Sequence, residues 1–152
     1  MLHDSLNLMQ EKYLRLVLAE GHAFEERFGK VARRFFERLP MLFGLFRRVS
    51  FDLSLPAHER RLAAAALVYL AESDDFLRES AAVGVSSYVD DVWVAFEVFR
   101  RLRGAVGDDA IARHIRSPGE FDDLAALAEN SDTMREHVPS KVLEQLLAFI
   151  DG

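Results

Sequence analysis

Tyr88-Val89-Asp90-Asp91-Val92-Trp93-Val94-Ala95-Phe96-Glu97-Val98-Phe99-Arg100-Arg101-Leu102-Arg103-Gly104 is the stretch on which the fold of this chain turns. Val89, Val92, Trp93, Phe96, Phe99 and Leu102 recur every three or four residues, the spacing of one face of an α-helix. Asp90 and Asp91 stand at its N-terminal end, where free backbone N–H groups and the helix dipole favour an anion. Ser87 with Asp90 three residues on has the form of a capping box, and Gly104 is predicted to end the helix.

The same periodicity runs outward in both directions. A first helix is expected from Asp4 or Ser5, with Leu6, Met9, Tyr13, Leu16 and Val17 on one face, and Gly21 either ends or weakens it. Phe24, Phe28, Val31 and Phe35 then form one stripe, and Pro40 is predicted to close that helix. A short apolar segment, Met41 to Val49, leads into an irregular stretch. Pro56 suits the first turn of a further helix from about Ala57 to Ala71, which carries Leu62, Ala66, Tyr69 and Leu70 inward. A short acidic turn or helix covers Asp74 to Ser80, and Gly84 breaks the chain. Shorter helices are predicted at 108–116, 120–129 and 140–150. No strand pattern, repeat or low-complexity linker stands out. The expectation is an all-α, single-domain helical bundle over residues 1–152, with the 57–71 and 88–103 helices as its central antiparallel hairpin.

Composition narrows the function classes. At 152 residues, half of them hydrophobic, the chain suits one globular domain that buries about two thirds of its unfolded surface. Cysteine is absent, which removes disulfides and thiolate chemistry. Charged residues interrupt every apolar run short of the roughly 18 residues a spanning helix needs. The start Met-Leu-His-Asp has no basic n-region, so a cytoplasmic location is expected. His3, His22, His58, His114 and His137 make no paired metal-ligand spacing. Ser86-Ser87 lacks a nucleophile elbow, and no glycine-rich phosphate loop occurs. A globin-like arrangement would need a proximal histidine in a helix pattern that neither His58 nor His114 supplies.

Two charged regions remain. Glu72, Asp74, Asp75, Glu79, Asp90 and Asp91 lie within twenty residues, with only Arg78 as a local cation. Carboxylates near an apolar core cost several kcal/mol unless paired or bound. Asp90 and Asp91 can act as helix caps. Asp75 and Glu79, four apart, share a helix face and need a cation, for which Arg33, Arg34 and Arg60 are the candidate arginines. The alternative brings Asp75, Glu79, Asp90 and Asp91 together as an oxygen cage for Mg²⁺, Mn²⁺ or Ca²⁺; no other cofactor is expected. The second region is basic. Arg27, Lys30, Arg33, Arg34, Arg38, Arg47 and Arg48 face a single acid, Glu37, among Phe24, Phe28, Phe35, Phe36, Phe43 and Phe46. Either the phenylalanines are core and the arginines solvated, or the Arg27–Arg48 segment lies on an anionic membrane surface. A net charge of −6 and the lack of any known signature argue against nucleic acid.

Residues 56–103 also carry a resemblance. Arg60-Arg-Leu-Ala-Ala-Ala-Ala-Leu-Val-Tyr69-Leu-Ala-Glu-Ser-Asp-Asp75-Phe-Leu-Arg-Glu79, followed by Gly84 and Tyr88-Val-Asp90-Asp91, resembles the YkvA-like family of bacterial domains of unknown function. In that family an apolar helix ends in an aromatic, acids and a glycine turn follow, and an Asp-Asp pair opens a second helix. Asp75 and Glu79 fall on the two acids, and Asp90 and Asp91 on the pair. Ser73 and Arg78 stand where the family usually has prolines. The resemblance implies a helical hairpin and no settled activity. The function expected is therefore a non-enzymatic protein-binding, self-associating or scaffolding module, in one version peripheral to the membrane, with a divalent-metal-binding domain or metal-dependent enzyme as the alternative.

Overall fold

The computed structural model describes residues 2–79 and 88–151, with side chains from 7 to 71 and from 88 to 151. The chain is all-α. The helices are α1 (Leu2–Phe28), α2 (Lys30–Phe36), α3 (Leu39–Ser50), α4 (Ala57–Glu79), α5 (Tyr88–Val106), α6 (Asp108–Ala112), α7 (Pro118–Glu129), α8 (Asp132–Arg135) and α9 (Ser140–Asp151).

α5 is the axis. Val89 and every residue from Asp91 to Phe99 are buried. A helix apolar on nearly all sides must be enclosed by others. α2, α3 and α4 pack on it from earlier in the chain, and α6, α7 and α8 from later. Phe35 meets Phe96 edge-on at 4.9 Å between centroids, both fully buried. Tyr88 stacks on Phe36, and Phe121 of α7 closes over Phe99. α4 lies antiparallel to α5, so that Tyr69 near its C-terminal half feels the charges of Asp91 and Asp90. The Tyr13 hydroxyl donates to the Leu70 carbonyl and ties α1 to α4.

Several helix boundaries differ from expectation. Gly21 neither ends nor interrupts α1. A Cβ there would sit 3.3 Å from the Arg33 guanidinium, so the glycine lets α2 lay that arginine across α1. The break falls instead at Gly29, whose φ of 97° is open to glycine at little cost. Pro40 does not close a helix; it lies in the first turn of α3, where its missing N–H is harmless. The apolar segment after it is helical, burying Leu42, Phe43, Leu45, Phe46 and Val49. α4 runs without a break through the acidic stretch to Glu79, and α5 passes Gly104 and stops before Gly107, at φ 88°. Ser117 caps α7 by accepting the Glu120 N–H. α8 occupies a stretch expected to be a connection. The Gly84 turn and the Ser87 cap lie outside the described residues.

Candidate functional site

Asp90 and Asp91 occupy the first turn of α5, as their positions before the apolar run dictate. Asp91 is fully buried and Asp90 half-buried. Burial pushes the Asp90 carboxyl up to about 6. Burial, then the neighbouring Asp91 and Asp90, pushes the Tyr69 phenol well above its ordinary range. Asp75 and Glu79 fall on the last turns of α4, but their side chains lie outside the described ones, as does any four-carboxylate cage. Among the described residues no three His, Asp or Glu side chains come together as metal ligands.

The Asp90 shift has a measurable sign. Its proton is held more tightly in the folded chain than in the unfolded one, where an aspartate titrates near 3.9. The penalty for ionising it is absent below about pH 4, grows up to pH 6 and is constant above. Asp90→Asn is therefore expected to stabilise the protein at pH 7.5 by about 1 kcal/mol, allowing for partial exposure, and to melt with the wild type at pH 4. Millimolar Mg²⁺ that raised the wild-type Tm at pH 7.5 and not the variant's would instead mark Asp90 as a ligand.

The basic arm divides between core and surface. Phe24, Phe35, Phe36, Phe43 and Phe46 are all fully buried. Arg33 reaches Glu25 at 3.5 Å and Glu37 at 3.8 Å, while Arg38 and Arg34 both reach Asp123 of α7, at 2.5 and 3.9 Å. Arg60 donates to the Leu55 carbonyl. The three arginines expected to serve the acidic hairpin thus have partners elsewhere. Among the described residues the most deeply placed ion pair is one that charge density along the sequence does not single out. Glu97, 6% exposed on α5, accepts from Arg100 and Arg101, and Arg101 reaches on to Asp151 of α9. Burial raises the Glu97 carboxyl, but the two arginines outweigh it and the net shift is downward. This cluster borders a cavity of about 320 Å³ with Trp93, Ser131 and Arg135.

Arg47 and Arg48 end α3 and lead into the corner before α4. There Asp52 turns inward between two residues that turn outward. One Asp52 oxygen accepts the Ser54 N–H at 3.0 Å and the Ser54 hydroxyl at 2.6 Å. The other accepts from Arg113 and from His114 Nε2, at 2.7 Å for the histidine. The Ser54 hydroxyl first, against a smaller rise from burial, and then His114 and Arg113 hold the Asp52 carboxyl well below its usual range. Buried Leu55 anchors the corner from the other side. So fixed, the loop presents Phe51 at 52% and Leu53 at 82% exposure. Arg47, Arg48, Arg113 and His114 line the same hollow as Phe51, about 620 Å³ in volume. Asp52 and His114 are some sixty positions apart, and no local pattern joins them; the one signal was His114 lying between Arg113 and Arg116.

Searches of protein-family models, of curated proteins and of solved structures return no match to this chain. The resemblance of residues 56–103 to the YkvA-like family accordingly stands on the quoted residues alone. No helix among the described residues is long and apolar enough to cross a membrane.

Proposed function

We propose that this chain is a membrane-peripheral binding module, acting at the cytoplasmic face, that docks on anionic lipid through the corner between α3 and α4. The observation that carries this reading is the pair of exposed apolar side chains, Phe51 and Leu53, held on a pinned loop beside Arg47, Arg48 and Arg113. Large apolar side chains flanked by arginines match the bilayer interface, where rings and methyls enter the acyl boundary and guanidinium groups stay among phosphates. Five of the six phenylalanines of the basic arm are core and Phe28 is partly buried, so the membrane contact moves from the arm as a whole to its last turn and the corner beyond. Each arginine near an anionic surface adds about 1 kcal/mol, and the two apolar side chains add about 1 kcal/mol or more each. With Arg113 neutralised by Asp52, the sum is about 4 kcal/mol, below that of a single acyl anchor, and gives reversible attachment.

Vesicle flotation tests it. The chain is expected to float with phosphatidylcholine vesicles containing phosphatidylglycerol and not with phosphatidylcholine alone, less so as salt shortens the Debye length. The double variant Phe51→Ser, Leu53→Ser is expected to lose about thirtyfold or more in partitioning, and Leu53→Ser alone to lose part of that at unchanged Tm, because Leu53 is 82% exposed. Equal flotation of variant and wild type, or none at low salt, would sink the reading.

A further inference from the structure

Beside the corner, and resting on the reading of it as lipid-facing, lies a second hollow that shares Arg48, Arg113 and His114 with the docking surface and adds Arg116. It is about 670 Å³ in volume and is lined by Gln10, Met41, Arg48, Arg113, Arg116 and Glu120, with His114 and Ile115 at its back. We propose that this groove binds a phosphate monoester, through the Arg48, Arg113 and Arg116 guanidinium groups.

The positive charge there is in excess. Three guanidinium groups line the groove against one carboxylate, Glu120. Among the described residues neither Arg48 nor Arg116 makes an ion pair, and Arg113 places only Nη2 on Asp52 and Ser54. Burial first, and then Arg47 and Arg116, lower the proton affinity of Arg48 against the opposing effect of Glu120. Asp52 answers Arg113, which leaves Arg48 and Arg116 against Glu120; the unbalanced like charges repel, and a phosphate monoester of charge about −1.5 to −2 relieves that repulsion more fully than a diester of −1.

The donors are also held in place. Arg48 Nε donates to the His114 carbonyl at 2.7 Å, which fixes the plane of its fork and leaves the Nη groups for a ligand. Gly44 permits this seat: a Cβ there would lie 3.3 Å from Arg48 Nη1 and closer still to the Gln10 amide. Gln10 is in turn fixed by donating to the Pro40 carbonyl at 3.2 Å. Arg113 is oriented by Asp52. A planar fork already oriented loses little entropy on taking a phosphate in the two-pronged manner arginine favours. The phosphate could come from a lipid headgroup or from a soluble ester, and the chemistry of recognition is the same for both.

Vesicles containing phosphatidic acid, a monoester, are compared with phosphatidylglycerol vesicles, a diester, at matched surface charge, and glycerol 3-phosphate is titrated in calorimetry. The expected results are at least about fivefold tighter binding to phosphatidic acid, and its loss in Arg48→Gln and in Arg116→Gln. Arg116 is exposed and makes no described ion pair, so Arg116→Gln keeps the test open if Arg48→Gln unfolds. Heat with glycerol 3-phosphate, abolished by Arg116→Gln, without preference between the two vesicles assigns the groove to a soluble ester and still supports it. Equal binding to both vesicles together with no heat overturns the groove while leaving the corner intact. Heat with glycerol 3-phosphate but no vesicle binding at all overturns the corner and keeps the groove.

Discussion

Phe96→Ala is expected to destabilise the protein by about 3–5 kcal/mol. The ring is fully buried on α5, in edge contact with Phe35 of α2, and enclosed by helices from both halves of the chain. Truncation removes the transfer energy of the ring and leaves a void that helices fixed on several sides cannot close. A loss of that size lowers Tm by roughly 10 °C or more in a chain of this length. Urea denaturation with a constant m-value measures it. The same truncation at Phe149, 44% exposed against Tyr69, should cost far less. A Phe96→Ala loss under about 1.5 kcal/mol would mean that α5 is not the enclosed axis.

Glu97→Ala is expected to cost about 2 kcal/mol at pH 7. Breaking a fully buried pair from one side costs about 3–5 kcal/mol, because a charge is left stranded. Here the stranded groups are better placed: Arg100 is largely exposed and Arg101 keeps Asp151. Glu97→Gln retains the volume and loses only the charge, and should cost about half as much. The pH dependence separates charge from packing. The Glu97 carboxyl is lowered in the folded chain, so its contribution is complete above about pH 4.3, where the unfolded glutamate titrates, and is lost as the pH falls through the folded value. The gap between wild type and Glu97→Gln should therefore close in acid. A gap that persists there would assign Glu97 a packing role alone.

The helical class and the apolar stripe of α5 were legible because period and length both point one way. Its all-round burial was not: the stripe pointed to an amphipathic helix with one apolar face, whereas Asp91, Val94, Ala95, Glu97 and Val98 off that stripe are buried as well. Which glycine breaks a helix was not legible. Gly21 and Gly29 offer the same backbone freedom, and the difference lies in a guanidinium delivered from the next helix. Pro40 likewise suits an end or a beginning, and only the burial of Leu39 to Val49 against α4 decides it. The acidic hairpin stands out through density of charge in sequence. The corner does not, because Asp52, Ser54, Arg113 and His114 meet only after α6 folds back onto the end of α3, a contact that sequence spacing does not encode.

The enclosure of α5 by helices on both sides of it in the chain bears on how the protein is made. α1 to α4 leave the ribosome first, carrying Phe35 and Phe36, and the Phe96 and Tyr88 rings that pack on them come later. The Phe35 ring waits for Phe96, about 60 residues downstream, which at about 5–20 residues per second is a delay of several seconds. Even then α5 brings a second apolar side that stays wet until α6 to α8 arrive. The nascent chain therefore displays aromatic surface through most of its synthesis, a substrate for holdase chaperones, and it becomes safe from aggregation only when its last third has been translated.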